Sequence, residues 1–107
     1  SDYSLSATVS PGSVGHATAD ASFVEFGPPS PWTKTLFTQA WAHSTAGTQY
    51  DSHQHTYTPP GTFNEPTASA QTGPTMNCKQ LSAYASINAN GCDFYVSYSE
   101  DYDSCQF

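Results

Sequence analysis

The sequence predicts an all-β protein, a small antiparallel sandwich-like domain. Three observations carry this. Apolar and polar residues alternate with period two along most of the 107 residues, the pattern of strands with one buried face. Gly, Pro and Asn break the alternation at short intervals, as turns between strands require. Near the C-terminus an Asn90-Gly91 pair separates two alternating runs. Asn-Gly is the strongest short hairpin signal, because both central residues of a type I′ turn need positive φ. The length fits one domain over 1–107.

The first strand covers residues 3–10, with Leu5, Ala7 and Val9 on one face and Ser4, Ser6, Thr8 and Ser10 on the other. Pro11-Gly12 ends it. Residues 1–10 also read as an exchangeable N-terminal strand, because a terminal strand on a flexible tether can complete its own sheet or a neighbour's edge. The second strand sets Ala17, Ala19, Ala21 and Phe23 against Thr18, Asp20 and Ser22. Its parity slips over Val24–Phe26, which marks a bulge or an end. Gly27-Pro28-Pro29-Ser30-Pro31 is a stiff connector. A third strand over Trp32–His43 has apolar residues on both faces, which predicts a central position. Tyr50–Thr58 reads as a fourth strand, with His53, His55 and Tyr57 on one face.

Residues 58–75 contain four Pro and two Gly and are rich in Thr, so they read as a long Pro/Thr-rich loop, in part polyproline-like. The C-terminal hairpin follows, with strands at about 81–89 and 92–99. A two-residue turn fixes its register: Ala89 faces Cys92, Ile87 faces Phe94, Ala85 faces Val96 and Ala83 faces Tyr98, all on one apolar face. A helix over 79–88 is the competing pattern, since Ala-rich segments tolerate helix well.

Composition narrows the function. The chain has 15 Ser and 13 Thr, no Arg, and only Lys34 and Lys79 as basic residues. Its formal net charge is −7. Such a surface cannot neutralise phosphates and is repelled by anionic lipid, so neither nucleic acid nor membrane insertion is expected. No apolar run reaches the ~18 residues of a helical span. The chain starts at Ser1 without a Met and reads as a mature product or a portion of something longer. Aliphatic residues are few: three Leu, one Ile and four Val. The 15 aromatics are therefore expected to fill the core, each able to bury a large area. Any that stay exposed are stacking faces for sugars or a partner.

Cys78, Cys92 and Cys105 match no zinc or CxxC spacing. The hairpin register brings Cys78 and Cys105 near one another and leaves Cys92 at the turn, too far along extended strands for a bond at about 3.3 Å per residue. The expected disulfide is Cys78–Cys105, with Cys92 unpaired or intermolecular. His53 and His55, with His43 before them and His16 further off, form only a weak HxH metal candidate, and no metal or cofactor is expected. No GxSxG or selected carboxylate pair appears, and no catalytic residue is assigned. No Asn stands in an N-x-S/T sequon. O-glycosylation needs no strict motif, and Thr or Ser near Pro are its hosts: Thr56, Thr58, Thr62, Thr67, Ser69, Thr72 and Thr75, then Ser10 and Ser30.

These features point to a non-enzymatic extracellular or cell-surface protein. The expected role is a structural subunit or module of a fibre, surface layer or matrix, carrying covalent glycans and self-associating into a polymer through the N-terminal strand. The alternatives are a secreted carbohydrate-binding module and a small secreted enzyme or metal-binding protein.

Overall fold

The structure, a computed structural model, describes residues 2–28, 32–45, 47–73, 79–89 and 92–102, with side chains at all of these but 2, 89, 92–95, 101 and 102. Among the described residues the fold is all-β. The strands are β1 (Asp2–Ser10), β2 (His16–Glu25), β3 (Lys34–Ser44), β4 (Gly47–Tyr57), β5 (Gly61–Gln71), β6 (Gln80–Ala89) and β7 (Cys92–Tyr102). They form two antiparallel sheets in the orders β1-β2-β5 and β4-β3-β6-β7, packed face to face as a sandwich. The C-terminal segment is a strand pair, not a helix.

Each buried face follows from its period-two pattern. β2 buries Ala17, Ala19, Ala21 and Phe23, and β3 buries Leu36, Thr38, Ala40 and Ala42. β3 is central, as its two apolar faces require, flanked by β4 and β6. β1 pairs with β2 in the same chain along its whole length, from Asp2↔Val24 to Ser10↔His16. Its Tyr3, Leu5, Ala7 and Val9 lie half-buried against the core.

Among the described residues the core is mostly alanine rather than aromatic, contrary to expectation. Nine of its thirteen residues are alanine, joined by Phe23, Leu36, Leu81 and Ile87. Small side chains on the facing strands leave little volume between the sheets, and Phe23 is the one ring in this described cluster. Tyr3, Tyr57 and Phe63 gather instead around Phe23 at one end, where Phe63 lies 4.8 Å from both Phe23 and Tyr57.

Two segments differ from the sequence reading. Most of the presumed loop 58–75 is the strand β5. Only Pro66 falls inside it, and it falls where the β2–β5 register shifts between Ala19 and Ala21. β5 is also an edge strand. A bulge on an edge strand is where a missing N–H does least harm.

The β6–β7 hairpin begins in the expected register, Ala89↔Cys92 and Asn88↔Asp93, but then slips to Ile87↔Tyr95, Ser86↔Val96 and Tyr84↔Tyr98. The residue gained by β7 makes a bulge. A one-residue slip turns every later side chain to the opposite face. Val96 and Tyr98 therefore point outward, 52% and 57% exposed, rather than into the core against Ala85 and Ala83.

Candidate functional site

The outer face of the four-stranded sheet gathers the large rings that the core excludes. Residues paired across an antiparallel ladder share a face. β3 places Thr35, Phe37, Gln39, Trp41 and His43 outward, opposite Thr56, Gln54, Ser52, Tyr50 and Thr48 of β4. On its other side the same β3 residues face Asn88, Ser86, Tyr84, Ser82 and Gln80 of β6. β7 adds Val96, Tyr98 and Glu100 beside Ser86, Tyr84 and Ser82. Polar side chains flank the aromatic ones across the face, and Trp41 opposite Tyr50 and Tyr84 opposite Tyr98 are aromatic pairs.

The rings touch one another. Phe37 and Tyr84 meet edge-on at 5.8 Å, and Tyr84 meets Tyr98 at 6.4 Å. Trp41 stacks on His43 at 5.6 Å. Gln39 donates from Nε2 to the Tyr50 hydroxyl at 2.8 Å. A hydrogen bond to Glu100 is the main cause holding the Tyr98 phenol above its ordinary pKa of 10.0. Between these groups lies an open groove of about 370 Å³, lined by Thr35, Phe37, Gln54, Tyr84, Ser86 and Asn88. None of these six is charged. Both lysines are buried, so neither lends this face a cation.

A second groove, about 290 Å³, runs along the seam where β1 and β7 meet, lined by Tyr3, Leu5, Val96 and Ser97. The opposite seam, between β4 and β5, is closed by side chains. Asp51 Oδ2 accepts from the Ser69 amide and Gln49 Oε1 from the Gln71 amide, each at 3.0 Å. Glu65, whose side chain is fully buried, hydrogen-bonds His55 Nδ1 at 2.8 Å and accepts from the Tyr57 hydroxyl at 3.3 Å. Burial, then the neighbouring Glu65 charge, pushes the Tyr57 phenol above its ordinary pKa of 10.0.

The HxH candidate divides between two faces. His53 and His55 lie opposite Thr38 and Leu36, on the inner face of β4, where they bond Asp51 and Glu65. His43 lies on the outer face beside Thr48. Among the described residues no three His, Cys, Asp or Glu side chains gather as metal ligands.

Of the O-glycosylation candidates, Thr56, Thr58, Thr62, Thr67, Ser69 and Ser10 are exposed. Thr56 shares a hydrogen bond with Thr35, and Thr67 donates to Asp20. Thr72 does not fit the role. It is 2% exposed, its hydroxyl accepts from the Gly15 amide at 2.9 Å, and its own amide bonds the Gly15 carbonyl. Thr75 and Ser30 lie outside the described residues, as do Cys78 and Cys105 and the side chain of Cys92.

Sequence reasoning missed the Phe37–Tyr84–Tyr98 row, because it assigned rings to the core by elimination. The alternation of Ala with Tyr and Ser in 81–89 was the available signal. Comparison with protein-family models, curated proteins and solved structures finds no match to the chain.

Proposed function

We propose that this chain is a non-enzymatic structural module of an extracellular fibre, surface layer or matrix, built to carry tension along its length. One observation supports the reading above the others. The molecule is elongated, 57 × 20 × 17 Å, and its first and last strands leave it at opposite poles. Asp2 pairs with Val24 at the end where Lys34 meets Glu25 and Tyr3. Tyr102 pairs with Gln80, which pairs with His43, at the other end. Tension applied across the two poles therefore runs along β1 and β7. It loads the β1–β2 and β6–β7 ladders in shear, so many hydrogen bonds must fail together.

Self-association through the N-terminal strand belongs to the same proposal. β1 lies at the edge of its sheet, so a neighbour's strand can add to it without its leaving β2. Glycans on the exposed threonines and serines would keep such edges from indiscriminate pairing, and a Cys78–Cys105 bond would pin the distal end of the hairpin.

The test is single-molecule stretching in two attachment geometries. Handles at positions 2 and 102 should give a rupture force several-fold higher than handles at 2 and 24, which peel β1 from β2 one pair at a time. Equal forces in the two geometries would remove the reading.

A further inference from the structure

We propose that the groove over Phe37 and Tyr84 is a binding site for a neutral polysaccharide chain. The inference is independent of whether the module carries load. A pyranose ring has apolar C–H faces and a rim of hydroxyls. A site for it needs aromatic surface flanked by groups that both donate and accept hydrogen bonds. The groove supplies this pairing: Phe37 and Tyr84 are its aromatic part, and Thr35, Gln54, Ser86 and Asn88 supply hydroxyls and amides.

Charge selects the class of ligand. The six residues carry none, and the protein's two lysines are buried on the other side of the sheet. An anionic glycan or a phosphate would meet no cation here and an overall charge of −7. A docked protein is a poorer fit, because interface cores cluster apolar anchors, whereas in this groove Phe37 lies between Gln54 and Ser86 and Tyr84 beside Gln39. The ligand is a chain rather than a single sugar, because the aromatic row continues from Phe37 through Tyr84 to Tyr98, crossing three strands. Val96, beside Ser86, widens the same track.

The bulge in β7 is what exposes the end of this row. Without it, Tyr98 would face the core. The sheet thus sets a large apolar ring in water beside Glu100, where burial by a ligand recovers the cost of exposure.

Native affinity electrophoresis tests this, with mixed-linkage β-glucan, glucomannan and arabinoxylan in the gel and alginate as the anionic comparison. At least one neutral polymer should retard the protein, and alginate should not. Tyr84→Ala should weaken binding by about ten-fold, while Ser6→Ala on the opposite sheet should leave it unchanged. Gln54→Ala, at an exposed strand position, should weaken it several-fold and serves if Tyr84→Ala fails to fold. Trp41 lies on the same face, so its fluorescence should change as polymer is added. Absence of retardation by all three neutral polymers overturns the proposal. So does undiminished binding by folded Tyr84→Ala, by Gln54→Ala, or retention by alginate alone.

Discussion

Lys34 is the clearest case of one side chain tying distant parts together. It opens β3 facing inward, and only the tip of its side chain reaches a partner. Nζ donates to the Tyr3 hydroxyl at 2.6 Å and to Glu25 Oε1 at 2.8 Å, and lies 4.6 Å and 5.2 Å from the centres of the Tyr3 and Phe23 rings. One ammonium thus joins the start of β1, the end of β2 and the start of β3. Burial alone would lower its pKa, but the hydrogen bonds to Glu25 and Tyr3 and their charges outweigh it, and the pKa stands above the ordinary 10.5. A raised pKa stabilises the fold fully below the unfolded value and loses that contribution as pH rises through the folded one. Lys34 should therefore add no pH dependence near neutrality, and an alkaline fall in stability beginning above 10.5. Lys34→Met strands the Glu25 carboxylate and should cost about 2 kcal/mol at pH 7. Urea titration from pH 7 to 11 checks both, because the difference between wild type and Lys34→Met should shrink at the alkaline end. Tyr57 shifts the same way, but it is common to both proteins and cancels in the comparison.

Strands were legible where alternation was regular. β1, β2 and β3 follow from residues alone: β1 and β2 each have one packed face and one polar, largely hydroxylated face, and β3 has apolar residues on both. β5 was hidden by counting prolines rather than placing them: Pro59 and Pro60 precede the strand, Pro74 follows it, and Pro66 sits at its bulge. The β7 faces were hidden for another reason. Asn90-Gly91 specifies a register at the turn, and nothing in the next residues announces that it changes. Tyr95 and Phe94 are both large, so either parity looks apolar. The aromatic face was marked only by the alternation of Ala with Tyr and Ser in 81–89, and reading that signal required knowing that alanine fills the core.

The edge of β5 also yields an expected outcome. Its Ser69 and Gln71 amides are satisfied from β4 by Asp51 and Gln49, two side chains of the other sheet. Replacing both with alanine should cost about 0.5–1.5 kcal/mol for each bond lost, since both lie where water can reach the freed amides. Hydrogen exchange at Ser69 and Gln71 should accelerate while the paired amides of β2 stay protected. Uniform acceleration through β2 would mean the side chains act on global stability and not on the edge.

For the molecule as a whole, the scarcity of basic residues becomes a measurable property. Lys34 and Lys79 are the only sites trypsin can use, and they are 8% and 3% exposed. Neither is open to a protease in the folded state. Cleavage should wait for global unfolding, so its rate should follow added urea as the unfolding free energy does. Rapid cleavage at either lysine in native buffer would show local opening at that strand end.

The sandwich is asymmetric from side to side in a way that governs how it comes apart. Along β4 and β5 the sheets are bound by four side-chain hydrogen bonds, two of them to a fully buried carboxylate. Along β1 and β7 a groove runs between them, lined by Tyr3, Leu5, Val96 and Ser97. The molecule resembles a book, with a stitched spine and a grooved fore-edge. Thermal breathing should begin at the fore-edge and turn about the spine, so a strand offered by a neighbour has one side on which to enter. Growth of any polymer would then be directional from its first contact, with every copy presenting the same margin to the next.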